Sequence, residues 1–365
     1  PPEKMMTVKQ LVESGPLTHV PARYIFRRFP GDDPVSAAAE AIPTIDFSHL
    51  TADSPELRSE AIRALGDACL EWGFFTLVNH GVGRELMDSM VTVCEGFFEL
   101  QVDELRQYAG KPLFDPVRFH TSINSEVDDV LLWRDSLKTR VHPDFNAPRN
   151  PPDFGKISEE YCRKVRKMAS VLLGGISLSL GLDERFIDRA MELDTEEEGS
   201  AGGETHRRRH HQLLVVNLYP PSPQPELVLG LPPHSDHGLL TVLAQNNVNG
   251  LQVRHHGSWV PVDVPPHSFV VNIGDHLEVL SNGRYKSIEH RALVSGHATR
   301  LSIGLAHGPP LDAVVAPAPE LLLPDDGCPA RYRGMQYGDY IQLQQSRTLR
   351  GKSCLDNLKI LSSDE

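Results

Sequence analysis

Two residue types that can bind a transition metal stand two positions apart in the segment GLPPHSDHGLLTVLAQ. His234 and Asp236 are followed there by an apolar run of β-forming residues. Residues i and i+2 of a strand project to the same side, and imidazole and carboxylate groups are the protein ligands of the facial Fe(II) site in non-haem oxygenases. Polar residues that alternate with apolar ones near a strand end give the same spacing. The pair therefore needs a third ligand before it indicates a metal site.

A third candidate ligand and a candidate anion anchor follow later in the chain. His290, in NGRYKSIEHRALV, has apolar neighbours at Ile288 and Ala292, which predict a strand buried on one side. Arg300 and Ser302, in the segment RLS, would share one face of another strand. Taken alone, His290 fits a hydrogen-bonded interior histidine and Arg300 fits a surface arginine. Together, in this order and in a β-rich half of the chain, the features predict a metal centre with a co-substrate site.

Three other histidines fit a structural interpretation better. His206, His210 and His211 lie in DTEEEGSAGGETHRRRHHQ, which spans residues 194–212 and contains acidic, glycine-rich and basic runs in succession. Such a composition is typical of a solvated, flexible loop. These side chains could bind a metal opportunistically, but nothing in a flexible loop would hold their geometry.

The elements that must position these residues change in type along the chain. Helical spacing of apolar residues predicts helices over 57–72, 84–108 and 158–182, and Ser54 followed by Pro55 predicts the start of the first. Between them, IPTIDFSHL, FFTLVNHGV and the second half of FDPVRFHTSINSEVDDVLLWRDSLKTRVHP predict strands. Residues 213–307 change to short strands separated by Gly, Asn and Pro, which favours a β-sandwich or jelly roll.

The pattern predicts a mixed α/β protein whose core is mainly β. We expect a double-stranded β-helix (a cupin-like jelly roll) with flanking helices. Residues 1–212 would form a helical and strand region that packs on the core and ends in the flexible loop at 194–212. Residues 213–310 would form the catalytic jelly roll, and residues 311–365 a helical tail outside the barrel. The whole would act as one functional domain.

Composition excludes several classes of partner. The chain has 365 residues, is 40% hydrophobic and carries a net charge of -13, which argues against nucleic acid and acidic membranes as partners. No apolar run is long enough to span a bilayer, and the first residues lack the apolar core of a signal peptide. The five cysteines are scattered and odd in number, which fits reduced thiols in a cytoplasmic protein.

Longer motifs give the chain a family resemblance. The segments WGFFTLVNHGV, NLYPPSPQPELVLGLPPHSDHGLLTVL, NGLQVRHHGSWVPV, NIGDHLEVLSNGRYKSIEHRALV and RLS occur in this order. With them the chain resembles the plant 2-oxoglutarate/Fe(II)-dependent dioxygenase family over nearly its whole length. Within that family it is similar to the group of flavanone-hydroxylase-like and melatonin-hydroxylase-like proteins, whose tails resemble LQQSRTLRGKSCLDNLKI.

The resemblance implies a role for each residue of the constellation. The metal ligands, which are also the catalytic residues, would be His234, Asp236 and His290. The distal carboxylate of 2-oxoglutarate would be held by Arg300 and Ser302, because a guanidinium group binds a carboxylate in a bidentate manner. In the segment NLYPP, Asn217 and Tyr219 would lie beside the co-substrate, with the Tyr219 hydroxyl group on a carboxylate oxygen. Fe(II), 2-oxoglutarate and O2 would be required, with ascorbate as the reductant.

The chain departs from flavonoid-processing relatives at positions that line the substrate pocket in those enzymes. The matching residues here are Ser136, Lys138, Val215, Ala306 and Gly308. At 306 and 308 those relatives carry an aromatic residue and a glutamate, so the small residues here should leave room for a substrate bulkier or less planar than a flavonoid. Lys138 could attract an anionic or carbonyl group, or it could be a solvated lysine at a strand edge.

The expected activity is oxidation of a small plant specialised metabolite or hormone by hydroxylation, demethylation or desaturation, with release of succinate and CO2. We expect a monomer that binds a small molecule. Two alternatives share these residues. One is an oxidase of the same fold that does not use 2-oxoglutarate, and the other is a non-catalytic small-molecule-binding protein.

Overall fold

The computed structural model describes residues 6–15, 17–26, 41–122, 130–190, 210–322, 328–345 and 353–360. The α-helices in these ranges are α1 Val8–Glu13, α2 Phe47–Leu50, α3 Pro55–Glu71, α4 Arg84–Phe98, α5 Val102–Arg106, α6 Phe154–Ser179, α7 Phe186–Ala190, α8 Asp275–Leu280, α9 Tyr337–Gln345 and α10 Ser353–Asp356. The strands are β1 Thr44–Asp46, β2 Phe74–Val78, β3 Val117–His120, β4 Asp135–His142, β5 His211–Tyr219, β6 Leu231–His234, β7 Leu240–Gln245, β8 Leu251–His255, β9 Ser258–Pro261, β10 Phe269–Ile273, β11 His290–Ala292, β12 Arg300–Gly308, β13 Val314–Val315 and β14 Met335–Gln336.

Two sheets form the jelly roll. The larger has eight strands in the order β1-β2-β10-β7-β12-β5-β4-β3, and the smaller has four in the order β6-β11-β8-β9. All pairs are antiparallel except β1 with β2. Strands β1 to β4 precede residue 212 and belong to the same large sheet as β5, β7, β10 and β12. The N-terminal region therefore supplies half of that sheet.

Alternation along the strands gives the large sheet two different faces. Leu137, Val216 and Ile303 are buried in the main hydrophobic cluster with residues of α3, α4 and α6. Residues one position away in sequence project to the opposite face. On that face Val270 packs with Val253 of the small sheet, which places it in the barrel interior. The side chains at 118, 136, 138, 215, 217, 302 and 306 share this interior face.

The predicted helices form with modest shifts in their ends. The Ser54 side chain accepts a hydrogen bond from the backbone N–H of Leu57 and caps α3, with Pro55 at its first position. The helix predicted for 84–108 is divided into α4 and α5, and the helix predicted for 158–182 begins earlier, at Phe154. In the segment IPTIDFSHL, only residues 44–46 are a strand, because the Asp46 carboxylate caps α2 directly after it.

The loop predicted for 194–212 ends earlier than expected. Both His210 and His211 are buried, and β5 begins at His211 and pairs with Gly308 at that point. The His210 ring stacks on His142 with ring centroids 4.1 Å apart. Aromatic packing and strand pairing thus order two residues that the charged sequence had assigned to a flexible loop. Residues 191–209, with His206, lie outside the described residues.

The described part of the chain contains neither a membrane-spanning helix nor a disulfide bond. Among the described residues, no helix combines the length and the apolar character needed to cross a membrane. The five cysteines are all free thiols, and four of them are buried.

Candidate metal centre and substrate cavity

The structure brings together the three candidate metal ligands. His234 ends β6, His290 begins β11, and the two residues are directly opposite each other in the small sheet. Oδ1 of Asp236 lies 3.5 Å from Nε2 of His234 and 3.7 Å from Nε2 of His290. The ligand atoms of all three residues lie within 4.8 Å of one another. One difference from the sequence prediction is that β6 stops at His234, so Asp236 comes from the following loop rather than from the strand.

Neighbouring groups fix which atoms of these side chains are available. Nδ1 of His234 lies 2.9 Å from the carbonyl oxygen of Pro232, and Nδ1 of His290 lies 3.3 Å from that of Ile288. A ring that donates through Nδ1 keeps its lone pair on Nε2, which faces the Asp236 carboxylate. Asn272 donates to Oδ2 of Asp236 at 2.9 Å and leaves Oδ1 available. Two imidazole nitrogens and one carboxylate oxygen thus converge, and this donor set fits Fe(II).

The electrostatics favour an ionised carboxylate in this cluster. Burial by itself would raise the pKa of Asp236, but His290, His234 and the Asn272 amide together hold that pKa well below its ordinary range. Burial lowers the pKa of His290 to about 4, so the imidazole is neutral at pH 7. Neutral imidazoles and an ionised carboxylate are the protonation states that metal binding requires.

The tail helix α9 braces the loop that carries Asp236. Ser235 donates to Oδ2 of Asp275 at 3.1 Å, and the Tyr340 hydroxyl group donates to the same oxygen at 2.6 Å. Nδ1 of His237 lies 2.7 Å from the hydroxyl oxygen of Tyr337. The loop at residues 235–239, between β6 and β7, is called the metal loop below. The tail contacts this loop directly, which goes beyond the sequence prediction of a tail packed outside the barrel.

The candidate 2-oxoglutarate residues form two adjacent pairs on β5 and β12. Arg300 is opposite Tyr219, and Ser302 is opposite Asn217. The Arg300 guanidinium group lies over the Tyr219 ring, 5.2 Å from its centroid, and donates to Oε1 of Gln245 through Nε and Nη2. Its Nη1 is buried and has no hydrogen-bond partner within the described part of the chain. An open N–H donor on a buried guanidinium group fits the carboxylate of a keto-acid.

Arg134 is a second buried arginine beside the candidate 2-oxoglutarate residues, and the sequence analysis did not identify it. It is 3% exposed and donates from Nη1 to Oδ1 of Asn217 at 3.0 Å. Burial lowers the pKa of the Arg134 guanidinium group, and the nearby Tyr219 hydroxyl partly offsets this effect. The available signal was its position two residues before Ser136 in the alternating segment WRDSLK.

The candidate substrate residues are only partly gathered. Ser136 and Lys138 line a cavity of about 560 Å³, between β3, β4 and α9. Val215 is directly opposite Lys138, and Ala306 lies between Leu213 and Thr241 on the same interior face. Leu213 lines a smaller cavity that shares Lys138 with the large one. Lys138 is not at the edge of the sheet, because β3 lies outside β4.

Gly308 has a different environment from the one predicted. A Cβ atom at this position would overlap the hydroxyl group and ring carbons of Tyr337. The room expected beside Gly308 is therefore filled by the tail helix, and a small residue is required there for packing rather than for the substrate.

Two family models match the chain. The 2OG-Fe(II) oxygenase superfamily matches residues 210–309, and the N-terminal family of non-haem dioxygenases in morphine synthesis matches residues 42–156. The 2-oxoglutarate-dependent dioxygenase 19 of Oryza sativa subsp. japonica is 39% identical over 344 residues, which are 92% of this chain and 97% of the relative. This chain belongs to the 2OG-Fe(II) oxygenase superfamily.

Another curated relative and two solved structures are also similar to this oxygenase. Thebaine 6-O-demethylase of Papaver somniferum is 35% identical, covering 94% of this chain and 93% of its own. Among solved structures, JOX2 in complex with 2OG, Fe and JA is 31% identical, with a TM-score of 0.83 and coverage of 99% of both chains. The rice dioxygenase for auxin oxidation is 26% identical, with a TM-score of 0.69. The oxygenase is therefore a 2-oxoglutarate-dependent dioxygenase whose cofactors are Fe(II) and 2-oxoglutarate.

Proposed function

We propose that His234, Asp236 and His290 bind Fe(II) in this oxygenase and that Arg300 and Ser302 hold the distal carboxylate of 2-oxoglutarate. The observation that carries the proposal is that the three candidate ligand atoms point toward one another. Two Nε2 atoms and Oδ1 of Asp236 converge because Pro232, Ile288 and Asn272 occupy the other side of each ligand.

The protein contributes binding and orientation to the reaction. Fe(II) and 2-oxoglutarate, when bound, supply an oxidation that consumes O2 and releases succinate and CO2. The free Nη1 of Arg300 binds the keto-acid, and the Tyr219 hydroxyl group donates to a carboxylate oxygen. Asn217 lies beside the co-substrate and is held by Arg134. The buried walls exclude water, which strengthens these charge-assisted hydrogen bonds.

The substrate is a small plant specialised metabolite or hormone that undergoes hydroxylation, demethylation or desaturation. The cavity of about 560 Å³ lies within the size range of small-molecule sites. Relatives are named for alkaloid O-demethylation and auxin oxidation, which supports a substrate of this size. Ser136, Lys138, Val215 and Ala306 are the proposed substrate contacts, and Gly308 acts through the position of Tyr337.

The organisation and setting of the enzyme are part of the same proposal. Residues 1–212, 213–310 and 311–365 work as one functional domain, because the first region supplies strands of the large sheet and the last one braces the metal loop. We propose a cytoplasmic monomer with ascorbate as the reductant that keeps iron ferrous. The net charge of -13 disfavours nucleic acid and acidic membranes as partners.

The test combines a substrate screen with a ligand variant. Phenolics, indoles, terpenoid acids and alkaloids are supplied aerobically with Fe(II) and 2-oxoglutarate, and succinate is measured with and without each candidate. Asp236→Ala should abolish turnover and weaken iron binding, whereas Asp53→Ala, which removes an exposed carboxylate, should do neither.

Three results would contradict the proposal. Full activity with stoichiometric iron in Asp236→Ala would show that the ligand assignment is wrong. Product formation without succinate would show that the enzyme is an oxidase independent of 2-oxoglutarate, and a wild type that never consumes 2-oxoglutarate would be a binding protein.

A further inference from the structure

The large cavity has a strongly one-sided charge. Four cationic side chains line it, from Lys111, Arg118, Arg134 and Lys138, and its described lining contains no carboxylate. Arg134 is engaged with Asn217 at the co-substrate end. Lys111 is exposed. Two interior cations remain, namely Arg118, which has no role so far, and Lys138, which is one of the proposed substrate contacts.

These two cations are direct cross-strand neighbours. Arg118 of β3 is opposite Lys138 of β4, and both side chains project to the barrel interior. Like charges directly opposite each other in a sheet destabilise it. No ion pair joins either residue to a carboxylate in the described ranges. Asp115, which lines the adjoining small cavity, is the one acidic group that acts electrostatically on Arg118 there.

Burial makes the arrangement more costly. Arg118 is 6% exposed, and its Nε has no hydrogen-bond partner among the described residues. Burial, together with Arg118 and Arg134, lowers the pKa of Lys138 to about 7. Burial, Lys138 and both arginines lower the pKa of His120 to about 3, so the imidazole beside them is neutral. A buried guanidinium group next to a half-buried ammonium group is stable when an anion accompanies them.

We propose that Arg118 and Lys138 form the specificity site of the enzyme, and that the substrate is a carboxylic acid whose carboxylate lies between them. The inference rests on the proposed function and names its substrate class. The guanidinium group offers the planar donors that a carboxylate accepts, and the ammonium group adds a point charge from the other strand. The side chains of Leu113 and Phe114 in the cavity wall contact the apolar body of the acid.

This site is separate from the co-substrate anchor. Arg300 and Ser302 lie on β12, whereas Arg118 and Lys138 lie on β3 and β4, with β5 between the two pairs. The enzyme thus has one anion site for 2-oxoglutarate and a second one for the acid that is oxidised.

The experiment compares acids with their neutral counterparts. Indole-3-acetic acid and 4-coumaric acid are titrated calorimetrically into the full-length enzyme loaded with Fe(II) and 2-oxoglutarate under argon. Indole-3-acetamide, methyl 4-coumarate and inorganic phosphate are titrated in parallel. We expect at least one acid to bind about tenfold or more tightly than its neutral counterpart, as loss of a charge-assisted bond predicts.

Variants identify the residues responsible. Arg118→Gln and Lys138→Met should each weaken acid binding about tenfold, and Lys138→Arg should retain most of it. The affinity for 2-oxoglutarate, titrated separately, should stay within a factor of about three in all of them, because Arg300 supplies that site. Lys164→Met removes a half-exposed cation of α6 that pairs with Glu160, and it should leave acid binding unchanged.

Each other outcome overturns the inference in a recognisable way. Equal affinities for acids and neutral analogues would show that Arg118 and Lys138 are not a specificity site. Unaltered acid binding in both Arg118→Gln and Lys138→Met would show the same. Phosphate that binds as tightly as the acids would exclude a carboxylate-specific site. A parallel loss of 2-oxoglutarate affinity would show that the two cations serve the co-substrate. Absence of iron-dependent succinate formation in the wild type would instead count against the proposed function itself.

Discussion

Tyr340 donates a 2.6 Å hydrogen bond to Oδ2 of Asp275, whose backbone N–H donates to the carbonyl oxygen of Asp236 at 2.8 Å. A residue of the tail helix thus holds the backbone of a proposed iron ligand through one intervening residue. Burial, with Asp275 adding to the effect, raises the pKa of Tyr340 above its ordinary range, so the phenol remains a donor.

Tyr340→Phe should therefore weaken iron binding without unfolding the protein. The Asp275 carboxylate loses a partner and the metal loop becomes less well held, which should lower iron affinity by about tenfold. The measurement is a competition titration of Fe(II) against a chelator. Tyr332→Phe is a matched control, because Tyr332 also donates to a buried carboxylate of α8, that of Glu278 at 2.7 Å, away from the metal loop. Equal losses of iron affinity in both variants would contradict this role.

Arg300→Lys should lower the affinity for 2-oxoglutarate while iron remains bound. The variant keeps the charge but loses the planar fork, which costs about 2–3 kcal/mol, or about a hundredfold in affinity. The apparent KM for 2-oxoglutarate and the iron content are the two measurements. A KM for 2-oxoglutarate equal to that of the wild type would show that Arg300 does not hold the co-substrate.

Ala306→Phe should block the substrate sterically if position 306 faces it. Ala306 lies on the interior face of β12 between Leu213 and Thr241. Product should fall strongly, while decarboxylation of 2-oxoglutarate without substrate continues. Product and succinate are measured side by side, and full product formation would mean that the residue does not line the substrate site.

Gly308→Ala should act on packing instead. Its new methyl group would overlap Tyr337, and overpacking of this kind destabilises a protein by about 1–3 kcal/mol. Gly304→Ala on the same strand is the control, since the nearest atom to its Cβ would be 3.7 Å away. Urea unfolding measures both. Equal stabilities would show that Tyr337 can move aside at no cost.

Acid should destabilise the fold through its buried histidines. Burial lowers the pKa values of His211, His276 and His307 to about 3 each. The unfolded chain binds these protons at an ordinary pKa of about 6.5, so it holds more protons than the native state between pH 6.5 and 3. The free energy of unfolding should therefore fall as pH drops through that window. Urea unfolding of chelator-treated protein should show a shallower pH slope for His307→Gln than for the exposed His256→Gln.

The sequence predicted the jelly roll because strand alternation and turn residues are local signals. The residue types and order of His234, Asp236 and His290 predicted a common site, with Asp236 expected on the same strand as His234. The structure shows that β6 ends at His234 and that Gly238, with a φ of 96°, lies in the loop that turns back toward β7. The residue types alone indicated the metal site. The backbone path that brings the three side chains together depends on contacts between distant segments, so it could not be predicted from the local sequence.

Residues that act across the fold could not be found in this way. Asn272, Arg134 and Tyr340 act on the site from segments distant along the chain, and no spacing in the sequence links any of them to the proposed iron ligands. Gly308 illustrates the reverse case, because its small size suggested an open pocket until the tail residue Tyr337 was placed beside it. Only the tertiary arrangement separates room for a ligand from room for a neighbouring side chain.

The position of the cation pair on the last two strands of the large sheet has an evolutionary consequence. The proposed iron ligands lie on the small sheet and its loop, whereas Arg118 and Lys138 lie on the β3–β4 pair at the far edge of the other sheet. Substitutions in that edge pair alter the charge of the cavity without changing any proposed iron ligand. A chain built in this way can acquire a new substrate by changing one peripheral hairpin while its oxidising centre is inherited intact.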